Sequence, residues 1–138
     1  MSDTCFLTLT NNLSEIEQLT NELGRFLIKC KASADDKHAV TLALEEWFAN
    51  VVNHSFKDDL QHLIKIKIEF QKPILRIKVI DDGIAFDPVG HQLPDLFKPL
   101  EERQIGGVGM HLIHKLIDDV SYFRENDTNI IVLEKKLH

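Results

Sequence analysis

The chain lacks an excess of positive charge, any long apolar run and more than a few cysteines. Its 138 residues include 16 Lys and Arg against 22 Asp and Glu, a net charge of -6 at pH 7. General nucleic-acid binding needs clustered Lys and Arg to neutralise phosphates, so this balance argues against a nucleic-acid surface. It does not exclude a nucleotide, whose phosphates can be held by backbone N–H groups and a metal ion.

No apolar segment approaches the ~20 residues needed to span a bilayer. The N-terminus has no positive start followed by an apolar run, so we expect no signal peptide and a cytoplasmic location. Cys5 and Cys30 do not form a CxxC pair and are predicted to be buried free thiols. The length and the 43% hydrophobic content predict one domain, residues 1–138, with its own core.

Hydrophobic periodicity predicts the element order β-α-α-β-β-loop-α-β-β. The predicted strands are Thr4–Thr10, Ile64–Phe70, Leu75–Val79, Ser121–Arg124 and Asn129–Leu137. The predicted helices run from about Ser14 to Cys30, Asp36 to Phe56 and Gly107 to Ile117. Neighbouring strands joined in hairpins favour an α+β fold whose mixed sheet is mainly antiparallel, with helices on one face. The aperiodic stretch from Gly83 to Ile105 is long enough to indicate a functional lid.

The predicted helix Asp36–Phe56 has two distinct faces. Its apolar positions fall on one arc: Val40, Leu44, Phe48 and Val51. Glu46, Asn50 and Asn53 lie on another narrow arc. His54 lies at the margin of that arc, where it either braces Glu46 or faces solvent. By itself a polar stripe of this kind is typical of a solvated helix face.

A second polar feature ends the strand LRIKVIDDG. By the period of two, Asp81 lies on the same face as the apolar residues Leu75, Ile77 and Val79. A carboxylate on an inner face is costly unless hydrogen-bond donors reach it. Two interpretations follow. Either the strand has ended and Asp81 and Asp82 form a turn before Gly83, or Asp81 accepts a hydrogen bond from a ligand amine.

A third feature is the run Gly106-Gly107-Val108-Gly109 before the helical segment MHLIHKL. Glycines permit close backbone approach, and a helix that starts there directs free N–H groups and a positive dipole end toward an anion. The run is also typical of an ordinary loop. It is not a Walker A motif, because no Lys-Ser or Lys-Thr follows.

Together, Glu46-x-x-x-Asn50, Asp81-x-Gly83 and the glycine run resemble the N, G1 and G2 boxes of the GHKL family, which contains gyrase, histidine-kinase and heat-shock chaperone ATPases. The chain is most similar to the anti-sigma factor serine kinases of that family, through the phrases EEWFANVVNHSF, IDDGIAFDP and IGGVGMHLIHKLID. The resemblance extends from about residue 10 to the C-terminus. It implies a Bergerat-type fold, a two-layer α/β sandwich.

The resemblance implies roles for five parts of the chain. Asn50 corresponds to the ligand of Mg²⁺, Asp81 to the acceptor of the adenine amino group, and Gly83 to the position that approaches the base. Phosphates would be held at the helix start by Gly107, Val108 and Gly109. Arg103 is the candidate for the terminal phosphate.

The same resemblance implies that Glu46 is the general base. Spacing independently favours Glu46 over Glu45, because only Glu46 is four residues before Asn50 and shares its face. Two positions depart from the family pattern. Ala85 replaces the second glycine of the G1 box, and Val132 is assigned to the place of a Thr that supports the adenine contact.

The function implied by the resemblance is a Mg-ATP-dependent protein serine kinase. It would phosphorylate an anti-anti-sigma (STAS) protein, sequester a sigma factor and form a homodimer. Ala85 and Val132 leave open an alternative, an ATP-binding regulatory switch without phosphotransfer. A domain that keeps the fold but interacts with partners independently of ATP is the third alternative.

Overall fold

The structure, a computed structural model, describes residues 2–85 and 107–138. The strands are β1 (Ser2–Thr10), β2 (Leu63–Gln71), β3 (Ile74–Asp81), β4 (Asp119–Glu125) and β5 (Thr128–Lys136). The helices are α1 (Ile16–Lys29), α2 (Ala34–His54) and α3 (Gly107–Leu116), with a 3₁₀ turn at Leu13–Glu15. Within these two ranges, no helix is both long and apolar enough to cross a membrane.

The five strands form one sheet in the order β1-β2-β3-β5-β4. Every pairing among the described strands is antiparallel, including the predicted hairpins β2–β3 and β4–β5. Two pairings are long-range in sequence, β1 with β2 and β3 with β5, and the second places Asp81 opposite Asn129. The predicted α+β class and the mainly antiparallel sheet are confirmed.

One face of the sheet forms the core with the helices. Strand alternation directs its apolar residues inward, for example Ile64, Ile66 and Ile68 of β2, each no more than 1% exposed. The helices contribute their own apolar faces, and α2 contacts both α1 and α3. The buried positions of α2 include the four predicted from its periodicity: Val40, Leu44, Phe48 and Val51. The helix layer therefore fixes how the polar face of α2 is oriented.

Helix α2 begins two residues before the predicted start because Ser33 caps it. The Ser33 Oγ accepts a hydrogen bond from the Asp36 N–H at 3.1 Å, as a side-chain cap should. Ser55 forms the other end of the helix, and its N–H donates to the Val51 carbonyl. The end of α2 is therefore a defined position, and it receives the loop that follows β3.

Cys5 and Cys30 are free thiols, as predicted, but the prediction that they are buried was wrong, since each is partly exposed. Partial burial and the nearby Asp3 carboxylate raise the pKa of Cys30 to about 11. A thiol with such a pKa is protonated at neutral pH and therefore unreactive. Neither cysteine is a candidate for chemistry.

Candidate nucleotide site

Asp81 is the last residue of β3 and is 1% exposed. It pairs with Asn129 in the β3–β5 ladder, so the strand has not ended before it. Of the two interpretations of the sequence, the structure therefore supports the inner-face carboxylate. A carboxylate this deeply buried requires hydrogen-bond donors.

Two donors reach Asp81, and both reach the same oxygen. The Gly83 N–H donates to Asp81 Oδ1 at 2.9 Å, and the Asn129 Nδ2 donates to Oδ1 at 3.0 Å. Within the part of the chain that the structure describes, no donor reaches Oδ2. Burial raises the pKa of the Asp81 carboxyl, and the hydrogen bonds from Asn129 and Gly83 act in the opposite direction. Asp81 is thus an acceptor with one oxygen fixed and the other available.

Asn129 is held as firmly as Asp81. Its Nδ2 also donates to the Ile84 carbonyl at 2.7 Å. Its Oδ1 accepts from the Tyr122 hydroxyl at 2.5 Å and from Arg124 Nη1 at 3.0 Å. Arg124 Nη1 also donates to the Gly83 carbonyl at 2.8 Å. The end of β3, the following loop and strands β4 and β5 are joined by one polar network.

Sequence reasoning missed Asn129 and assigned its place to Val132. Val132 pairs with Lys78 in the ladder, so it lies on the face of the sheet opposite Asp81. The assignment of Val132 was therefore wrong. The available signal was strand alternation. Asn129 shares a face of its strand with Ile131 and Leu133, just as Asp81 shares a face with Val79 and Ile77.

Gly83 is required by the protein's own backbone. A Cβ at this position would lie 2.4 Å from the Ser55 carbonyl oxygen and 2.6 Å from the Ser55 Cβ. The adjacent Ile84 N–H donates to that same carbonyl oxygen at 2.8 Å. The loop after β3 therefore rests directly on the end of α2, and Ala85 follows as an exposed residue.

Asn50 brings the polar face of α2 to the first turn of α3. Its Nδ2 lies 4.0 Å from the Met110 Sδ, a weak contact at the limit for a hydrogen bond to sulfur. The first three residues of α3 are Gly107, Val108 and Gly109. The first N–H groups of a helix have no partner within the helix, so this terminus can bind an anion beside Asn50. Arg103 lies outside the described residues.

The two neighbouring carboxylates of α2 differ in their surroundings. Glu45 Oε1 accepts a hydrogen bond from the Thr20 hydroxyl of α1 at 2.9 Å. Glu46 is half-buried, and no other described residue forms a hydrogen bond or ion pair with it. Asn53 and His54 are exposed, and within the described ranges His54 makes no contact with Glu46. Of the two alternatives for His54, the structure therefore supports exposure to solvent.

The residues present fit a metal ion that arrives with a nucleotide. Among residues 2–85 and 107–138, no group of three or more His, Cys, Asp or Glu could hold a metal ion. Mg²⁺ in nucleotide sites is usually bound by one or two protein oxygens together with phosphates and water. A single amide oxygen, that of Asn50, beside a helix N-terminus is consistent with that arrangement.

Comparisons with known proteins agree with this geometry. The family model described as histidine kinase-like ATPase domain matches residues 9–135. Serine-protein kinase RsbW from Bacillus cereus (strain AH187) and from Bacillus anthracis (strain CDC 684 / NRRL 3495) are each 30% identical over 104 residues, 71% of this chain and 63% of the relative. The chain thus spans just under two thirds of the length of these relatives.

A solved structure shares the fold. The crystal structure of the RsbU and RsbW domains of Rv1364c from Mycobacterium tuberculosis matches with a TM-score of 0.68 and 15% identity, over 98% of this chain and 32% of that one. The resemblance to GHKL ATPases, and through the RsbW relatives to their serine-kinase branch, is confirmed. The chain belongs to the histidine kinase-like ATPase domain family.

Proposed function

We propose that the chain is an ATP-dependent protein serine kinase that acts as an anti-sigma regulatory factor. It phosphorylates an anti-anti-sigma (STAS) protein and sequesters a sigma factor. The observation that carries this proposal is the position of Glu46, whose carboxylate has no partner among the described residues and lies one helical turn before Asn50. The serine-protein kinase names of the similar proteins support transfer to a serine.

The geometry supports the following roles, which are part of the proposal. Asp81 Oδ2 accepts a hydrogen bond from the adenine amino group, because Oδ1 is already engaged by Gly83 and Asn129. The N–H groups of residues 107–109 bind phosphate oxygens at the start of α3. Asn50 supplies an oxygen ligand to Mg²⁺, which when bound neutralises phosphate charge. Arg103 is assigned to the terminal phosphate by the family resemblance alone.

Glu46 acts on the substrate serine. As the serine Oγ bonds to the γ-phosphorus, its proton passes to the Glu46 carboxylate. The bond between that phosphorus and the β–γ bridging oxygen breaks, and ADP leaves with the bridging oxygen. General base catalysis of this kind contributes about 10²–10⁴-fold to a rate.

Phosphoserine formation in a purified STAS partner, with Mg-ATP, tests the proposal. Glu46→Gln is expected to lower the rate by about 10²–10⁴-fold while ATP still binds. Glu45→Gln is the matched control, and it is expected to retain transfer because Glu45 serves a contact with Thr20 of α1. A wild-type protein that phosphorylates no cognate STAS domain, or a Glu46→Gln variant that is as fast as wild type, contradicts the proposal.

A second candidate function is an ATP-responsive switch that binds its partner without transferring phosphate. The Ala85 that replaces the second glycine of the G1 box favours this alternative. It predicts a partner affinity that changes with ATP, without label transfer. An ATP-independent interaction domain is the third candidate, and it predicts no saturable Mg-ATP binding in a calorimetric titration.

The proposal includes a homodimer in the cytoplasm, without direct nucleic-acid or membrane binding. The outer face of the sheet supports self-association, because Phe6 is 73% and Phe123 54% exposed. The net charge of the whole chain, -6, argues against a general nucleic-acid surface. Sedimentation equilibrium at several protein concentrations tests the dimer, and a mass that stays at one chain contradicts it.

A further inference from the structure

A cavity of about 330 Å³ opens at the end of the sheet opposite Asp81. Pro73 lines this cavity, and β3 begins at the next residue and ends at Asp81. The eight residues of β3 span about 25 Å, so the cavity is separate from the candidate nucleotide site. Ligand pockets begin at about 300 Å³, so a cavity of this volume suits a small ligand.

The interior of the cavity is largely apolar. Phe70, Pro73 and Leu137 line it, and Cys30 adds a neutral thiol, since its raised pKa keeps it protonated. The Leu137 N–H donates to the Pro73 carbonyl at 2.8 Å, which joins the segment after β5 to the turn between β2 and β3. Backbone contacts therefore hold the apolar walls in place before any ligand binds.

The charged residues that line the cavity are mainly basic, although the whole chain carries a net charge of -6. They are Lys29, Lys31, Lys72 and one carboxylate, Asp3. Asp3 is engaged by Lys29 at 3.5 Å. Within residues 2–85 and 107–138, the side chains of Lys31 and Lys72 form no hydrogen bond or ion pair.

His138 also lines the cavity, and it engages the Asp36 carboxylate of α2. Its backbone N–H donates to Asp36 Oδ2 at 2.7 Å, and its ring Nδ1 lies 3.6 Å from the same oxygen. Both neighbouring carboxylates, Asp3 and Asp36, thus have partners within the protein. The ammonium groups of Lys31 and Lys72 are the cations left for a ligand in the described part of the chain.

The backbone of Lys31 is strained. Its φ of 60° is in the left-handed region, directly after the end of α1. Its N–H donates to the Ile28 carbonyl at 2.9 Å, and the Ala32 N–H donates to the Leu27 carbonyl at 3.0 Å. This helix-ending motif usually has glycine at the position of Lys31, because glycine has no Cβ. The backbone alone favours glycine here, and strain of this kind points to a use for the side chain.

A helix C-terminus gives lysines a structural use as well, because they complement the negative end of the helix dipole. That use accounts for Lys29 of α1. It does not account for Lys72, which lies in the turn between β2 and β3. The negative dipole end also opposes a doubly charged anion more than a singly charged one, so the cavity favours a carboxylate over a phosphate.

We propose that this cavity is a binding site for a small organic carboxylate with a short apolar chain. The apolar chain packs on Phe70, Pro73 and Leu137, and the carboxylate is bound by the ammonium groups of Lys31 and Lys72. The site is independent of the proposed kinase function, because the described residues that line it are not those of the nucleotide site.

Calorimetric titration with three probes tests the proposal. Hexanoate has both features, hexanol has the apolar chain without the charge, and acetate has the charge without the chain. We expect hexanoate to bind at least about tenfold more tightly than acetate, since each buried methylene contributes about fourfold. It should bind about three- to tenfold more tightly than hexanol. Amide NMR shifts with hexanoate should centre on the backbone N–H groups of Lys31, Lys72 and Leu137.

Two variants separate a ligand site from a structural role. Lys72→Gln should weaken hexanoate by about three- to tenfold and leave hexanol unchanged. Lys31→Gly should weaken hexanoate similarly, yet melt at the wild-type temperature or above, because glycine relieves the left-handed backbone. Lys65→Gln is the matched control, since it removes one positive charge from an exposed position on β2.

Hexanoate that binds no more tightly than acetate and hexanol overturns the proposal, as do amide shifts confined to other parts of the chain. Lys72→Gln that binds hexanoate as Lys65→Gln does also overturns it. Lys31→Gly that melts at a lower temperature and binds as wild type overturns the role of Lys31. These titrations contain no nucleotide, so a failure to bind Mg-ATP, which refutes the proposed function, leaves their outcome unaffected.

Discussion

The polar groups of Asp81 and Asn129 are bonded to one another, whereas Glu46 and Asn50 stand on α2 with few partners. At the first end of the site, called here the base end and formed by Asp81 and Asn129, the Asn129 side chain by itself makes four hydrogen bonds. At the second, Glu46 has no partner among the described residues, and Asn50 has one long contact with a sulfur atom. The polar groups of the first end are thus positioned by hydrogen bonds within the folded protein, without a ligand. The second end has groups that serve nothing else in the described chain, which is expected where substrate must be bound and a proton accepted.

Asp81→Asn should have the largest effect on nucleotide affinity. The amide oxygen can accept the bonds from Gly83 and Asn129, but an Nδ2 in place of Oδ2 faces the adenine amino group as donor against donor. We expect Mg-ATP affinity to fall by about 10–100-fold, the loss of a hydrogen bond to a charged group. Asp82→Asn is the matched control, since Asp82 is exposed. Retained affinity in Asp81→Asn contradicts the role of Asp81.

The same variant should not be less stable than wild type near neutral pH. Burial raises the pKa of Asp81 in the folded state above its unfolded value. The resulting stabilisation is therefore present at low pH and is lost as the pH rises through the folded pKa. Asn has no charge to bury, so thermal unfolding at pH 7 should occur at the wild-type temperature or above. If Asp81→Asn lowers the unfolding temperature as well as the Mg-ATP affinity, Asp81 has only a structural role at the base end.

Gly83→Ala should break the base end through the backbone. The added Cβ would meet the Ser55 carbonyl oxygen at 2.4 Å, and that oxygen already accepts from Ile84. We expect the free energy of unfolding, measured in urea, to fall by about 1–3 kcal/mol, as at other overpacked sites. Gly24→Ala is the control, because nothing lies within 4 Å of a Cβ there, and in a helix it should stabilise by about 0.5–1 kcal/mol. If both substitutions lower the free energy of unfolding, or both raise it, this account of Gly83 is contradicted.

A smaller, pH-dependent effect is expected at His62, beside the base end. Its ring nitrogens lie 2.7 Å from Asp58 Oδ1 and 3.0 Å from Asp82 Oδ1, and its ring stacks on Phe56. Both partners are acceptors when ionised, so only the imidazolium, with two N–H groups, satisfies both. The Asp58 hydrogen bond is the main cause that raises the pKa of His62, and the bond from His62 is the main cause that lowers the pKa of Asp58.

The sign for His62 follows from the raised pKa. Stabilisation by the imidazolium is full below the unfolded pKa and is lost as the pH rises through the folded pKa of His62. It also declines in acid, as the pH falls through the lowered pKa of Asp58. The melting temperature of wild type should therefore exceed that of His62→Gln most at mildly acidic pH, with the difference shrinking toward alkaline pH. A difference independent of pH contradicts the charged arrangement.

The helix face and the strand face of the site were predictable because each depends on local periodicity. Glu46 and Asn50 are one helical turn apart, and Asp81 follows the alternation of β3. Asn129 was not found, because its role depends on the register between β3 and β5. Asn129 is 48 residues from Asp81 in sequence. The close contact between Gly83 and Ser55 also depends on packing between residues far apart in sequence.

The central claim, a nucleotide bound between α2, the end of β3 and the start of α3, is tested most directly by amide NMR spectra with and without Mg-ATP. The largest shifts are expected for the backbone N–H of Gly83, residues 107–109 and the side-chain amide of Asn50. The Asn129 side-chain amide, which donates to the same Asp81 Oδ1 as the Gly83 N–H, should shift together with it. Backbone shifts confined to the outer face of the sheet, around Phe6 and Phe123, or no shifts at saturating Mg-ATP, would contradict the account.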